Sequence, residues 1–86
     1  MTGEKMDAKE MLETLKDVGK QKTEFVKNLS RRVWIGGAVW YILKNGEVIA
    51  VPYDSDTRTS GVPQIETKEH YELARKLYGV KGEIIY

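Results

Sequence analysis

The stretch from Val33 to Tyr53 is almost entirely apolar, and two glycine-bearing dipeptides, Gly36-Gly37 and Asn45-Gly46, interrupt it. A run rich in β-branched and aromatic residues, cut into short pieces by turn residues, forms strands rather than a helix. Within it, Lys44-Asn45-Gly46-Glu47 carries a hairpin signal, because Asn and Gly both tolerate the positive φ of a type I′ turn. A two-residue loop there sets Leu43 opposite Val48, Ile42 opposite Ile49, Tyr41 opposite Ala50 and Trp40 opposite Val51. Lys44 then faces Glu47, an oppositely charged pair that suits this register. The alternation puts Trp40, Ile42, Ile49, Val51 and Tyr53 on one face, and Val39, Tyr41, Leu43, Val48 and Ala50 on the other. Both faces are apolar, whereas an antiparallel sheet with one side in water shows a polar face. Either helices cover both faces or the second face meets another subunit. Gly36-Gly37 is a second tight turn, pairing Val33-Trp34-Ile35 with Ala38-Val39-Trp40, or a bulge in one bent strand.

The flanks read as helices. Met11, Leu15, Val18, Phe25 and Leu29 follow steps of a heptad seam, which predicts a long N-terminal helix over about 7–29 with Gly19 as its weak point. Asp7 or Thr2 caps it, acids gather in its first turns, and lysines and arginines follow toward its end, in agreement with the helix dipole. Strands are expected over about 31–43 and 47–53, then a polar loop over 54–66. A shorter helix over about 68–78 starts at Thr67 and stops at Gly79. Glu83-Ile84-Ile85-Tyr86 adds an edge strand over 83–86. The expectation is a single α+β domain over residues 1–86.

Size sharpens the argument about assembly. A chain of 86 residues buries only about 60–65% of the surface its unfolded form exposes, and with no cysteine it has no disulfide to compensate. A helix over 7–29 would be about 35 Å long, more than so small a globule needs. Its heptad stripe Met11, Leu15, Val18, Phe25 and Leu29 is therefore the expected interface of a homo-oligomer, a dimer or higher.

Several chemistries are excluded or disfavoured. One histidine and no cysteine leave no basis for a thiol or multi-histidine metal site. Fourteen basic residues against thirteen acidic ones do not mark a dedicated nucleic-acid binder. No apolar run reaches the roughly 18 residues of a membrane helix, and Met1-Thr2-Gly3-Glu4-Lys5 does not read as a secretory signal, so no membrane and a cytoplasmic location are expected. The strand entering Asp54-Ser55-Asp56-Thr57 resembles the metal-bound aspartyl nucleophile of haloacid-dehalogenase-type phosphatases. Such enzymes need a large parallel sheet and further acids that this chain cannot house. A calcium loop fails as well, with Arg58, Thr59 and Ile65 at positions that require an acid, a glycine and a glutamate. His70 has no Ser or Cys nucleophile placed with it and reads as structural.

Two stretches remain as binding candidates. In the loop, Thr57, Thr59 and Ser60 supply hydroxyls and Arg58 a bidentate donor for phosphate or carboxylate. In the basic stretch 16–32, Arg31 and Arg32 lie beside Trp34, which can stack on a base. The expected function is a non-enzymatic, cofactor-free, metal-free binding or regulatory protein that takes an anionic, nucleotide-like small molecule on Thr57, Arg58, Thr59, Ser60, Arg31, Arg32 and Trp34. Recognition of another protein through apolar surfaces, as in a viral or mobile-element inhibitor, is the alternative, and nucleic-acid binding through 16–32 is the third reading.

Overall fold

A computed structural model describes residues 7–16, 26–54 and 56–86. In chain order its elements are α1 (Ala8–Lys16), β1 (Leu29–Ile35), β2 (Ala38–Leu43), β3 (Val48–Asp54), β4 (Thr59–Ser60), β5 (Gln64–Glu66), α2 (Lys68–Tyr78) and β6 (Val80–Ile85). The fold is α+β: an antiparallel sheet in the order β4-β3-β2-β1-β6, with β5 pairing the first half of β3 alongside β4.

The N-terminal helix is short, and the long helix over 7–29 is corrected. α1 has nine residues, about 14 Å, which matches the width of three strands at about 4.8 Å each. Leu29 is not its last turn but the first residue of β1, paired with Leu43. Val18, Phe25 and Gly19 lie outside the described residues. Asp7 caps α1 by accepting from Glu10 N at 2.9 Å, and a carboxylate far along the chain helps: Glu47 Oε1 accepts from Ala8 N at 2.8 Å. Both place negative charge at the positive end of the helix dipole.

The hairpin after β2 has three loop residues, not two. Gly46 N donates to Leu43 O at 3.0 Å and Leu43 N to Glu47 O at 2.9 Å. Gly46 takes φ +94° while Asn45 is not left-handed, the arrangement of an ordinary turn followed by a glycine bulge. The register is accordingly one residue off the sequence expectation: Ile42 pairs with Val48, Tyr41 with Ile49, Trp40 with Ala50 and Val39 with Val51. Asn45 explains the choice, since its side chain accepts from Glu47 N at 2.9 Å and donates to Glu47 Oε1 at 2.7 Å. Glu47 thus serves Asn45 and the cap of α1 instead of standing opposite Lys44. At Gly36-Gly37 the loop does have two residues, with Ile35 paired to Ala38 and φ +58° at Gly36, the sign a type II′ turn requires at its first central residue.

A one-residue slip exchanges the faces of β3. Val39, Tyr41, Leu43, Ile49 and Val51 share one face with Leu29 and lie beneath Ala8 and Met11 of α1. Trp40, Val48 and Ala50 share the other with Val33 and Ile35, beneath Tyr71 and Ala74 of α2. β1 changes sides at an irregularity between Leu29 and Arg31, which is how Leu29 faces α1 while Val33 and Ile35 face α2. Each apolar face of the sheet therefore has a helix of its own.

α2 begins at Thr67, whose hydroxyl accepts from His70 N at 3.0 Å. It ends at Gly79, φ +76°, whose N–H returns to Arg75 O. The chain then runs back along the outer side of β1 as β6, longer than the expected 83–86.

Candidate functional site

α2 carries the chain from β5 at one edge of the sheet to β6 at the other, packing Tyr71 and Ala74 over Val33, Ile35 and Trp40. It leaves uncovered the corner where β1 begins and β2 ends. There lies an open cleft of about 700 Å³. Lys68, Glu72, Arg75 and Lys76 form one wall, spaced so that they share a helix face. Arg31 of β1 and Lys44 of the hairpin loop form the other, and Ile42 and Tyr71 of the α2-side layer line the cleft between them. Five cationic side chains from three separate elements thus line one concavity, with the Glu72 carboxylate in its wall and that of Glu83 against Arg31 and Arg75.

Two of the cations are held in place. Arg75 Nη1 donates to Tyr71 Oη at 2.7 Å, and the Tyr71 ring beneath it is buried against Trp40. The hydrogen bond to Tyr71, with Glu83 and Glu72 nearby, raises the Arg75 pKa above its ordinary value, so the guanidinium stays charged. Arg31 Nη1 donates to Glu83 Oε2 at 2.7 Å, and the same oxygen lies 4.0 Å from Arg75 Nη1. Glu83, on β6, lies against both guanidinium groups and leaves each with donors to spare. Lys44, Lys68 and Lys76 are exposed and enter no ion pair with Glu83.

The expected site residues do not come together. Arg31 and Arg32 are consecutive in a strand and point to opposite faces. Arg31 enters the cleft on the α2 side. Arg32 lies on the α1 side, its guanidinium 4.9 Å from the centre of the Trp34 ring and 5.4 Å from that of Tyr41, with Nε buried and, among the described residues, without a hydrogen-bond partner. Trp34 lines a different hollow of about 430 Å³ with Tyr53, Lys81 and the turn at Gly36-Gly37. Thr57 and Arg58 in the turn after β3, with Thr59 and Ser60 of β4, form an exposed tip, where Arg58 has φ +57° and the Thr57 and Thr59 hydroxyls meet at 2.6 Å. β4 pairs with Tyr53 and Asp54, at the far edge and far end of the sheet from Arg31. Lys20 and Lys22 of the basic stretch lie outside the described residues.

The residues assigned to an oligomer interface are also placed. Met11 and Leu29 are buried in the chain's own core, and Leu15 packs against it; Val18 and Phe25 are not among the described residues. Sequence reasoning passed over Lys44, Lys68, Arg75 and Lys76, although Lys68, Glu72, Arg75 and Lys76 recur at helical spacing and stand out as a polar stripe opposite Leu73 and Leu77.

Among the described residues no group of three or more His, Cys, Asp or Glu is placed to hold a metal ion. No described helix is long and apolar enough to cross a membrane. No family model matches this sequence, and neither a curated protein nor a solved structure does, so the chemistry of the cleft stands on its own residues.

Proposed function

We propose that this protein is a binding protein for an anionic, phosphate-bearing small molecule of nucleotide size, held in the cleft between α2 and the start of β1. The observation that carries the reading is the convergence of Arg31, Lys44, Lys68, Arg75 and Lys76 on one concavity. Five cations against the carboxylates of Glu72 and Glu83 leave the cleft with a net positive charge that a bound anion neutralises. Arg31 and Arg75, anchored by Glu83 and Tyr71, are pre-organised donors of the forked geometry that phosphate oxygens accept. The three lysines supply mobile point charge around them. A volume of about 700 Å³ lies within the range of about 300–1,000 Å³ typical of small-molecule sites. That favours a single nucleotide-like ligand over a nucleic-acid duplex. The anionic class is the one expected from Arg58 and its neighbours; the cleft is a better place for it than the exposed tip.

Isothermal titration calorimetry with pyrophosphate and with a nucleoside triphosphate tests the proposal. Binding is expected to weaken at least tenfold in Arg31→Ala and in Arg75→Ala, to weaken with added salt, and to be unchanged in Arg58→Ala. No heat with either probe, or loss in Arg58→Ala alone, overturns it. A steep salt dependence with an oligonucleotide, and none of the small anions bound, selects the nucleic-acid reading instead.

A further inference from the structure

We infer that β6 is a dimerisation edge, at which two copies of this chain pair their last strands antiparallel about a two-fold axis at Ile84, joining their sheets into one. The inference is independent of what the cleft binds.

Among the described residues β6 pairs only with β1, so its outer side presents free backbone groups. Tyr86 N donates to Ser30 O at 3.1 Å. In an antiparallel pair alternate residues bond to the same neighbour, so Tyr86, Ile84 and Gly82 turn their backbone groups to β1, and Glu83 and Ile85 turn theirs outward. The side chains beside this edge are apolar and exposed: Ile84 is 43% accessible, Ile85 70% and Tyr86 45%. An unprotected apolar edge is the pattern that monomeric proteins avoid with prolines, inward charges or short strands. Lysines and bulges do the same, and those that β6 carries, exposed Lys81 and the irregularity beside it, lie in its first half; residues 82–86 hold no proline or lysine, and their one acid, Glu83, is bound by Arg31.

Self-complementarity selects a second copy as the occupant, and one register of it. An axis at Glu83 sets two carboxylates face to face, which is repulsive. An axis at Gly82 runs through the irregularity between Gly82 and Val80, where β6 carries an extra residue, Lys81, against β1. An axis at Ile85 leaves Gly82 and Glu83 of both copies without a partner among the described residues, and an axis at Ile84 avoids all three faults. It uses only the regular residues 82–86, sets Ile84 against Ile84, and places Tyr86 opposite Gly82, an aromatic covering a strand glycine. Glu83 of each copy then exchanges both backbone hydrogen bonds with Ile85 of the other. The opposite edge of the sheet is made of β4 with two residues and β5 with three, too short and polar to continue the pairing, so assembly closes at two. The axis is perpendicular to the sheet, so both α2 helices and both basic clefts come to the same side.

The contact is small, under about 1,200 Å² in total, and belongs with weak, reversible interfaces. Sedimentation equilibrium is therefore expected to show a monomer–dimer equilibrium at micromolar to millimolar concentration. Residues paired at the axis are non-hydrogen-bonded neighbours with Cα atoms about 4.5 Å apart, within disulfide range. The natural chain has no cysteine, so a single introduced one reports cleanly. Ile84→Cys is expected to form a disulfide-linked dimer on mild oxidation, and Ile85→Cys much less of it. Ile85→Pro removes an outward N–H that β1 does not use, and is expected to abolish the dimer while circular dichroism shows an unchanged fold. A monomer throughout the concentration range, equal cross-linking at positions 84 and 85, or an undiminished dimer in Ile85→Pro each overturns the inference. So does capture of an extended peptide from another protein by a β6 that does not pair with itself.

Discussion

Tyr41 shows how one side chain reports its surroundings. It is buried under α1, and burial pushes its pKa above the ordinary tyrosine value, opposed by Arg32 beside the ring and assisted by Tyr86. The folded state therefore holds the phenolic proton more tightly than the unfolded state does. Stability from this group is fully present below the unfolded pKa of about 10 and is lost as pH rises from there through the folded pKa. Denaturant unfolding between pH 9 and about pH 12 is expected to show this alkaline loss in the natural chain and a smaller one in Tyr41→Phe. Met11 makes the complementary point about packing. It is wholly buried, and Met11→Ala is expected to cost about 2–5 kcal/mol in a urea titration, from lost transfer energy plus the cavity left behind.

The helices and turns are set by local chemistry that can be removed one group at a time. Thr67→Ala deletes the hydroxyl that caps α2 and is expected to lower stability by about 1 kcal/mol. Thr67→Ser, which keeps the acceptor, should retain most of it. Gly46 has open space where a Cβ would stand, yet φ +94°. Gly46→Ala is therefore expected to cost about 1 kcal/mol through backbone conformation alone, whereas Gly46→Asn should cost less, since Asn tolerates left-handed backbone. Thermal denaturation of the four variants checks both pairs.

In the whole molecule, the sheet separates two apolar layers, each under its own helix. Met11 and Val33 are both fully buried but on opposite sides, with no buried cluster in common. Met11→Ala and Val33→Ala are expected to add within about 0.5 kcal/mol in the double variant, as distant sites do. A coupling energy above about 1 kcal/mol would show that the layers act as one. The same layering bears on assembly. Met11→Ala is expected to lower stability without altering the monomer–dimer equilibrium, because Met11 serves the chain's own core, whereas Ile85→Pro is expected to do the reverse.

Much of the local structure was legible from residue order. Thr67 and Gly79 bracket α2, and alternation in β2 separates Trp40 and Ile42 from Val39, Tyr41 and Leu43, whereas Gly36-Gly37 suited a turn or a bulge in one strand over 31–43 equally well. The bracketing and the alternation depend on neighbours within about four positions, where side-chain chemistry and backbone sterics decide the outcome. The register of the hairpin was not legible, because Asn-Gly suits both a two-residue turn and a three-residue loop with a glycine bulge. The deciding contacts of Glu47, to Asn45 and to Ala8 of α1, include one 39 residues away. Leu29 leaves the expected helix for a related reason: it continues the heptad in sequence but is buried as a strand residue opposite Leu43. The cleft was hidden most completely. Arg31, Lys44, Lys68 and Arg75 share no motif, and only the passage of α2 from β5 to β6 brings them around one space. Periodicity and capping belong to the sequence, since they are interactions between near neighbours. Register, the owner of each apolar face and the gathering of charge belong to the tertiary structure, since each is settled by contacts between segments that the chain order keeps apart.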